Sequence, residues 1–185
     1  MATWLRYRPD MPSAEGTLTW KPLRDSLELV APVVAAQAER VPEARVASID
    51  PALADTIAFC EAYDVPPESS ANCVVVVGRR GGETRYAAVM VLATMRADVN
   101  GVIRRELDVR KCSFAPMGEA VALTSMEYGG ITPIGLPPGW PVFIDESVAT
   151  SGDVVIGSGA RGSKLLVAAR DLVNLPGGRL LNLTT

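Results

Sequence analysis

Histidine is absent from this sequence of 185 residues. A Ser-His-Asp triad, a Cys-His pair and a histidine-ligated metal are therefore excluded. Cysteine is scarce: Cys60, Cys73 and Cys112 are widely spaced and form no C-x-x-C pair, which argues against a disulfide framework and against a zinc site. Any catalysis must use backbone dipoles, carboxylates, lysine, hydroxyls, cysteine or the substrate's own groups.

Long hydrophobic runs and aromatic residues are also in short supply. The longest apolar runs, CVVVV and AAVMVLATM, are too short to span a bilayer, and the first twelve residues lack the apolar core of a signal peptide. Hydrophobic residues make up 48% of the chain but aromatics only 5%, so aliphatic side chains must fill most of the core. We expect a cytoplasmic protein without a metal, a cofactor or a membrane partner.

The net charge of −3 predicts no broad nucleic-acid-binding face. Three basic pairs are short and dispersed, and each is more typical of a solvated surface than of a binding site. Together with Arg161, these pairs would form at most a limited phosphate-contacting rim. The pairs are Arg79-Arg80, Arg104-Arg105 and Arg110-Lys111.

The order of helical and strand patterns predicts the α/β class. Apolar spacing predicts a helix over 23–40, with a kink at Pro32. The apolar strand 72–78 and the returning strand 84–95 are separated by RRGGE, in which adjacent glycines favour a hairpin turn. A hairpin pairs its strands antiparallel, so the sheet must be mixed rather than purely parallel.

No repeat and no internal linker divides the chain. Residues 1–22 are rich in proline, tryptophan and threonine and show no clear period. We expect them to form an irregular arm, with Trp4 and Trp20 packed on the body. Residues 23–185 are expected to form a single domain.

The stretch GGITPIG, residues 129–135, combines backbone freedom with a fixed proline. A tight turn is the ordinary interpretation of such a stretch. The functional interpretation is that Gly129 and Gly130 let the backbone approach a substrate, so that their N–H groups stabilise a developing oxyanion.

A second glycine-rich stretch, GSGARG at 157–162, matches G-x-G-x-x-G and follows a strand. A dinucleotide site is disfavoured, because only 23 residues follow Gly162 and the next segment is typical of a strand. A glycine turn between strands and a backbone nest for an anion both remain open. Ser163 and Lys164 are neighbours on a strand and point to opposite faces, so a solvated lysine is favoured over a Ser-Lys nucleophile pair. Ser158 is a second possible partner of Lys164.

The order of these segments resembles the YbaK family, also called the prolyl-tRNA-synthetase-associated domain family. The run NCVVVVG, a glycine hairpin, a helix, GGITPIG and VVIGSGARGSKLLV occur in the order of that family. Gly129 and Pro133 match its G-x-x-x-P signature. The resemblance covers residues 44–185 and implies a mixed, largely antiparallel, barrel-like sheet with flanking helices.

The resemblance further implies hydrolysis of a wrongly attached amino acid from the 3′ end of a tRNA, by means of backbone groups and the substrate's own hydroxyls. It implies catalytic roles for Gly129, Gly130 and Asn72. The substrate-binding residues that it implies are Ile131, Thr132, Pro133, Gly157, Ser158, Gly159, Arg161 and Lys164.

Two positions depart from the family pattern. Asn72 stands where members typically carry a lysine at the start of the central strand, and Lys164 stands where an aspartate is common. An amide hydrogen-bonds but does not neutralise a negative charge, so we hypothesise that Lys164 replaces the missing cation. The alternatives to a trans-acting editing deacylase are a non-catalytic module that binds a tRNA end or nucleotide, and a partner-binding scaffold.

Overall fold

Nine strands form two sheets in the computed structural model, which describes residues 13–184. The strands are β1 (Lys21–Pro22), β2 (Arg45–Ser48), β3 (Ala71–Arg80), β4 (Glu83–Leu92), β5 (Lys111–Phe114), β6 (Val142–Asp145), β7 (Asp153–Gly157), β8 (Ser163–Ala168) and β9 (Gly178–Leu181).

A long hairpin of β3 and β4 is the centre of the larger sheet. The two strands pair antiparallel along their whole length. Gly81 and Gly82 join them with φ angles of 58° and 85°, as a two-residue type I′ turn requires at both positions. The predicted hairpin and its turn are confirmed.

The larger sheet has the order β5-β3-β4-β6-β9, and the smaller sheet has the order β1-β2-β8-β7. Among the strand pairs of residues 13–184, only β4–β6 and β6–β9 are parallel. A parallel bridge between Ser70 and Val155 joins the two sheets, and neither sheet closes on itself. The predicted mixed, largely antiparallel class is confirmed, and its barrel-like form consists of two open sheets.

Short helices flank the sheets. Within residues 13–184 the α-helices are α1 (Pro32–Ala35), α2 (Thr56–Tyr63), α3 (Arg104–Glu106), α4 (Met117–Thr124), α5 (Glu146–Ala149) and α6 (Ala169–Val173). Asp55 caps α2 by accepting the Ile57 N–H at 3.1 Å, and such a cap satisfies one of the free amides at a helix start. This cap matters because the first residues of α2 reach the candidate site.

Three aliphatic cores give the molecule its layers. The largest lies between the sheets and includes Met90 from one and Ile156 from the other. A second core covers the outer face of the larger sheet around Ile103, and a third packs α2 on the smaller sheet through Phe59. The expected dominance of aliphatic side chains is borne out by the residues in these cores.

The predicted helix over 23–40 is wrong. The segment forms separate 3-10 turns and the four-residue helix α1, which begins at Pro32. Proline fits the first turn of a helix, where its missing N–H costs no hydrogen bond, so Pro32 starts a helix instead of kinking one. No helix among residues 13–184 has the length and apolarity needed to cross a bilayer.

The predicted arm is only partly described. Trp4 lies outside the described residues. Trp20 packs against the core around Phe59 and donates its indole N–H to the Glu15 carbonyl at 2.8 Å. The boundary at residue 22 stays a prediction.

Candidate functional site

A cleft of about 590 Å³ opens where the two sheets meet, beside the bridge between Ser70 and Val155. Both glycine-rich stretches and the start of β3 reach this cleft. We call residues 128–135, which contain the GGITPIG stretch, the glycine–proline loop. The walls of the cleft come from residues 54–57 before and within α2, residues 70–75, residues 114 and 115 at the end of β5, residues 128, 129 and 131 of the glycine–proline loop, residues 155–157 of β7, and Lys164 of β8.

The two glycine-rich loops pack against each other backbone to backbone. Gly159 donates its N–H to the Gly130 carbonyl at 2.7 Å. A Cβ added at Gly130 would lie 2.7 Å from the Ala160 carbonyl oxygen, and one at Gly157 would lie 2.4 Å from the Gly130 oxygen. The close approach that these glycines permit is therefore between the loops themselves, and it fixes the wall of the cleft.

The amides of Gly129 and Gly130 have different surroundings. The N–H of Gly130 donates to the Glu127 carbonyl at 2.9 Å, and Gly130 is buried. Gly129 is exposed and lines the cleft, and among residues 13–184 its N–H has no hydrogen-bond partner. Of the two predicted donors, Gly129 is the one whose amide is free to meet a ligand.

Lys164 is buried in the wall of the cleft, so the expectation of a solvated lysine is wrong. The residue is 6% exposed, and its Nζ donates to the Ala54 carbonyl at 2.9 Å and lies 5.1 Å from the centre of the Phe59 ring. Gly157 and Ala47 are its partners on the neighbouring strands. Because both are small and share its face of the sheet, they leave room for the long side chain.

Burial shifts the titration of this lysine. The pKa of Lys164 is lowered from 10.5 to about 8, chiefly by loss of hydration; Cys60 and Asp55 partly oppose this shift, and the nearby Arg161 adds to it. Desolvation disfavours the charged form of an amine, which explains the direction of the shift. The ammonium has three donors, and the bond to Ala54 uses one of them.

Asn72 lies on the same cleft as Lys164. Its side-chain oxygen accepts a hydrogen bond from the Thr56 hydroxyl at 2.6 Å. The segment 54–56 is thus held by Lys164 at Ala54 and by Asn72 at Thr56. Asn72 and Lys164, the two positions that depart from the family pattern, therefore both contact the segment 54–56.

Other predicted ligand residues point away from the cleft. The Ser158 hydroxyl is buried and lies 3.0 Å from both the Ala160 and the Ser163 carbonyl oxygens, which share its single donated proton. The Arg161 guanidinium donates to the Tyr128 and Pro51 carbonyls, each at 2.9 Å, and so holds the glycine–proline loop in place.

The middle of the glycine–proline loop is also turned inward. Thr132 is fully buried, and its hydroxyl has no hydrogen-bond partner among residues 13–184. Gly159 packs against Ala31, and Pro133 lines a different cleft beside Trp140. Of the predicted site residues, five line the cleft and the others do not. The five are Asn72, Gly129, Ile131, Gly157 and Lys164.

Sequence reasoning missed the apolar rim of the cleft. Ile57, Phe114 and Tyr128 line it and are 72%, 60% and 54% exposed. Exposed aromatic rings are platforms on which nucleic-acid bases stack. The available signal was local, since Phe114 ends a short polar strand and Tyr128 directly precedes the glycine pair.

The cysteines near the cleft are poor nucleophiles. Cys73 lines the cleft, and burial raises its thiol pKa to about 12. Burial also raises the pKa of the Cys60 thiol. Because the thiolate is the reactive form, neither residue has the electrostatic surroundings of a catalytic cysteine.

This fold is shared with a known class of proteins, the aminoacyl-tRNA editing domains. Residues 50–175 match the aminoacyl-tRNA editing domain family. The chain belongs to this family, and the resemblance to YbaK proteins is confirmed.

Solved structures share the fold. A protein proposed to be a trans-editing enzyme for prolyl tRNA synthetase has a TM-score of 0.71 at 20% identity, over 84% of this chain and 96% of that chain. The hypothetical protein APE2540 has a TM-score of 0.68 at 20% identity, over 77% and 91% of the two chains. A protein from a study of epitope grafting onto scaffolds has a TM-score of 0.71 at 19% identity, over 84% and 99%. No curated protein matches this chain.

Proposed function

We propose that this editing domain hydrolyses the ester bond of a mischarged aminoacyl-tRNA in trans. The observation that carries the proposal is the presence of a buried ammonium group and an unpartnered backbone amide, from Lys164 and Gly129, on one cleft. The aminoacylated 3′ end of the tRNA would occupy this cleft, with its terminal base against the aromatic rings of Phe114 and Tyr128 in the apolar rim.

The reaction adds water across the ester and releases the amino acid and an unacylated tRNA. Negative charge develops on the ester carbonyl oxygen as water attacks. The Gly129 N–H and the Lys164 ammonium favour that charge, and one such donor contributes about 10²–10³ in rate. The burial of Lys164 strengthens its interaction with that charge, because little water is present beside its ammonium to screen it.

No side chain of the cleft is proposed as a covalent nucleophile. The raised pKa of Cys73 keeps its thiol protonated, and the Ser158 hydroxyl is bonded inside the loop. Water is therefore the nucleophile, and the substrate's own hydroxyl or side chain assists its attack, as the family resemblance implies.

Lys164 takes over the electrostatic role of the lysine that is missing at position 72. Asn72 keeps a polar contact with Thr56 and so shapes the segment that Lys164 also holds. In this proposal Asn72 is a positioning residue, and the positive charge comes from β8 instead of β3.

A panel of mischarged tRNAs tests the proposal. Wild-type protein should release at least one amino acid faster than buffer, and Lys164→Ala should lose about 100-fold or more of that rate. Lys21→Ala is the matched control, because Lys21 is exposed on β1 and does not line the cleft. Unchanged activity in Lys164→Ala would remove this lysine from the mechanism.

A non-catalytic module that binds a tRNA end is the second candidate. The observation that favours it is that both polar side chains of the cleft already hold protein groups: Asn72 accepts from Thr56, and Lys164 donates to Ala54. The same panel separates the candidates: tight binding without release of any amino acid supports the module.

A further inference from the structure

Two of the three basic pairs converge at the turn end of the β3–β4 hairpin. Arg79 of β3 is the direct strand partner of Lys111 of β5, and the Arg110 N–H donates to the Arg79 carbonyl at 3.3 Å. We call Arg79, Arg110 and Lys111 the hairpin-end cluster. Arg161 does not join it, since that side chain donates to the Tyr128 and Pro51 carbonyls.

The third pair lies on the adjoining turn. The Asp108 N–H donates to the Arg105 carbonyl at 3.0 Å, and the Val109 N–H donates to the Arg104 carbonyl at 3.2 Å. These bonds fold Arg104 and Arg105 back toward the segment that leads into β5. Because these bonds are made by backbone groups, and the Arg104 side chain donates to the Asn100 carbonyl at 2.9 Å, this pair is not counted in the hairpin-end cluster.

The hairpin-end cluster is not neutralised by neighbouring acids. Asp108 forms ion pairs with Arg80 and Arg85 and so consumes the charge of those two arginines. Among residues 13–184, no carboxylate oxygen lies within 4.0 Å of a charged nitrogen of the hairpin-end cluster, and all three residues are exposed. A local positive surface thus exists on a chain of net charge −3.

The hairpin-end cluster shares a sheet face with the cleft. Val75 and Ala115 line the cleft and are joined by a hydrogen bond of 2.9 Å from the Ala115 N–H. Two residues further along, Val77 faces Ser113, and two further again Arg79 faces Lys111. Residues at this spacing point to the same face, so the face runs from the cleft to the cluster over about 13 Å, four residues at a strand rise of about 3.3 Å.

This face is open to a large ligand. β5 is the edge strand of the larger sheet, and Ser113 and Lys111 are both exposed. Glu119 is the acidic group of α4 near this face, and its carboxylate accepts a hydrogen bond from Tyr86. Positive charge is therefore confined to the turn end of this face, and the face between it and the cleft is uncharged at Val77 and Ser113.

We propose that the hairpin-end cluster binds the phosphate backbone of the tRNA acceptor arm whose 3′ end lies in the cleft. The inference rests on the proposed function, because the cleft must hold the end of the same nucleic acid. A polyanion suits this arrangement, since exposed arginine and lysine bind phosphates without reading sequence. The cleft selects the acylated end, and the cluster supplies affinity for the duplex behind it.

A binding experiment tests this inference independently of catalysis. The double variant Arg79→Gln/Lys111→Gln is compared with Arg24→Gln/Arg170→Gln, which removes the same charge from side chains that are 77% and 79% exposed beside another cleft. The probes are fluorescein-labelled unacylated tRNA and the trinucleotide CCA, whose Kd values are measured at several salt concentrations. Thermal unfolding of both double variants confirms that they are folded.

The cluster variant should bind tRNA about tenfold more weakly, with the slope of log K against log salt reduced by about 2. Its affinity for CCA should equal that of the wild type, and the control variant should match the wild type with both probes. An unchanged tRNA affinity, an equal loss for CCA, or an equal loss in the control variant would each overturn the inference. If the wild type releases no amino acid from any mischarged tRNA while the tRNA-specific loss is seen, the proposed hydrolysis fails and the hairpin-end cluster stands.

Discussion

Positive charge occurs in two opposite settings in this molecule. Lys164 is buried at the cleft, with one protein acceptor and an aromatic ring around it. The hairpin-end cluster is exposed on the larger sheet, at the far end of the β3–β5 face that begins at the cleft. A buried cation acts strongly over a short range and costs desolvation, whereas exposed cations act weakly over a longer range and are screened by salt. In the roles that we propose, the buried charge serves the chemistry and the exposed charges serve affinity for the tRNA.

The largest expected difference between these settings is in stability against pH. The pKa of Lys164 is about 8 in the folded state, below its ordinary 10.5, so the unfolded chain binds this proton more tightly. The free energy of unfolding should therefore rise as pH increases from 8 to 10.5, by about 3 kcal/mol in total. Below pH 8 the lysine is protonated in both states, and its contribution is constant.

Urea unfolding of wild type and Lys164→Met between pH 7 and 10.5 measures this term. The difference between the two curves should carry the rise, since groups common to both proteins cancel. Lys21→Met, which changes an exposed lysine, should follow the wild type. A flat difference between wild type and Lys164→Met would mean that burial does not shift this lysine.

Activity should respond to pH in the opposite direction. If the Lys164 ammonium stabilises the oxyanion, kcat/KM should fall about tenfold for each pH unit above 8, because the neutral amine replaces it. Rates are measured from pH 6.5 to 9 after subtraction of buffer hydrolysis. Lys164→Arg keeps its charge throughout this range, so whatever activity it retains should lack the fall. A wild-type profile that stays level to pH 9 would exclude the ammonium as the working form.

Backbone packing at the cleft should matter more than at the helix beside it. Gly130→Ala places a Cβ within 2.9 Å of three backbone atoms of Ala160, which is closer than van der Waals contact, so the free energy of unfolding should fall by about 1–3 kcal/mol. The matched change is Gly118→Ala in α4, where an added Cβ meets nothing within 4 Å and helix propensity should add about 0.5–1 kcal/mol of stability. Chemical unfolding of both variants checks the pair. Equal stability would show that the two loops adjust to each other.

The sequence predicts those structural features whose physical cause lies in neighbouring residues, and it fails for features that depend on distant residues. The hairpin depends on two adjacent glycines and was predictable. The burial of Lys164 depends on the small size of Gly157 and Ala47 across two strand pairings, and on Ala54 from a distant segment. No local pattern contains that information, so a solvated lysine was expected.

The candidate site was likewise predictable only in part. The order of the two glycine motifs indicated one shared site, and Gly129 and Gly157 do lie on one cleft. The loss of the Gly130 amide to Glu127 and the inward turn of Ser158 are set by how the loops fold on themselves. Spacing alone therefore identifies the loops but not which of their atoms face a ligand.

Loss of an aromatic ring from the apolar rim should change the kinetics less than the loss of the buried charge. Phe114→Ala should raise KM for mischarged tRNA about fivefold, which corresponds to about 1 kcal/mol of lost stacking, with kcat within about twofold. Leu180→Ala is the control, since Leu180 is 47% exposed and does not line the cleft. A fall in kcat with unchanged KM would instead place Phe114 at the reacting ester.

The smallest expected effect is the response of the cleft itself to salt. Counterions screen exposed charges over a Debye length of about 10 Å at 0.1 M salt but screen buried charges much less. Hydrolysis of a short substrate, an aminoacylated CA dinucleotide that reaches only the cleft, should therefore change by less than about twofold between 50 and 200 mM salt. KM for full-length mischarged tRNA should rise several-fold over the same range, because only that substrate reaches the hairpin-end cluster. An equal salt response of the two substrates would mean that Lys164 and the hairpin-end cluster act on the same part of the ligand, and the division of labour between buried and exposed charge would fail.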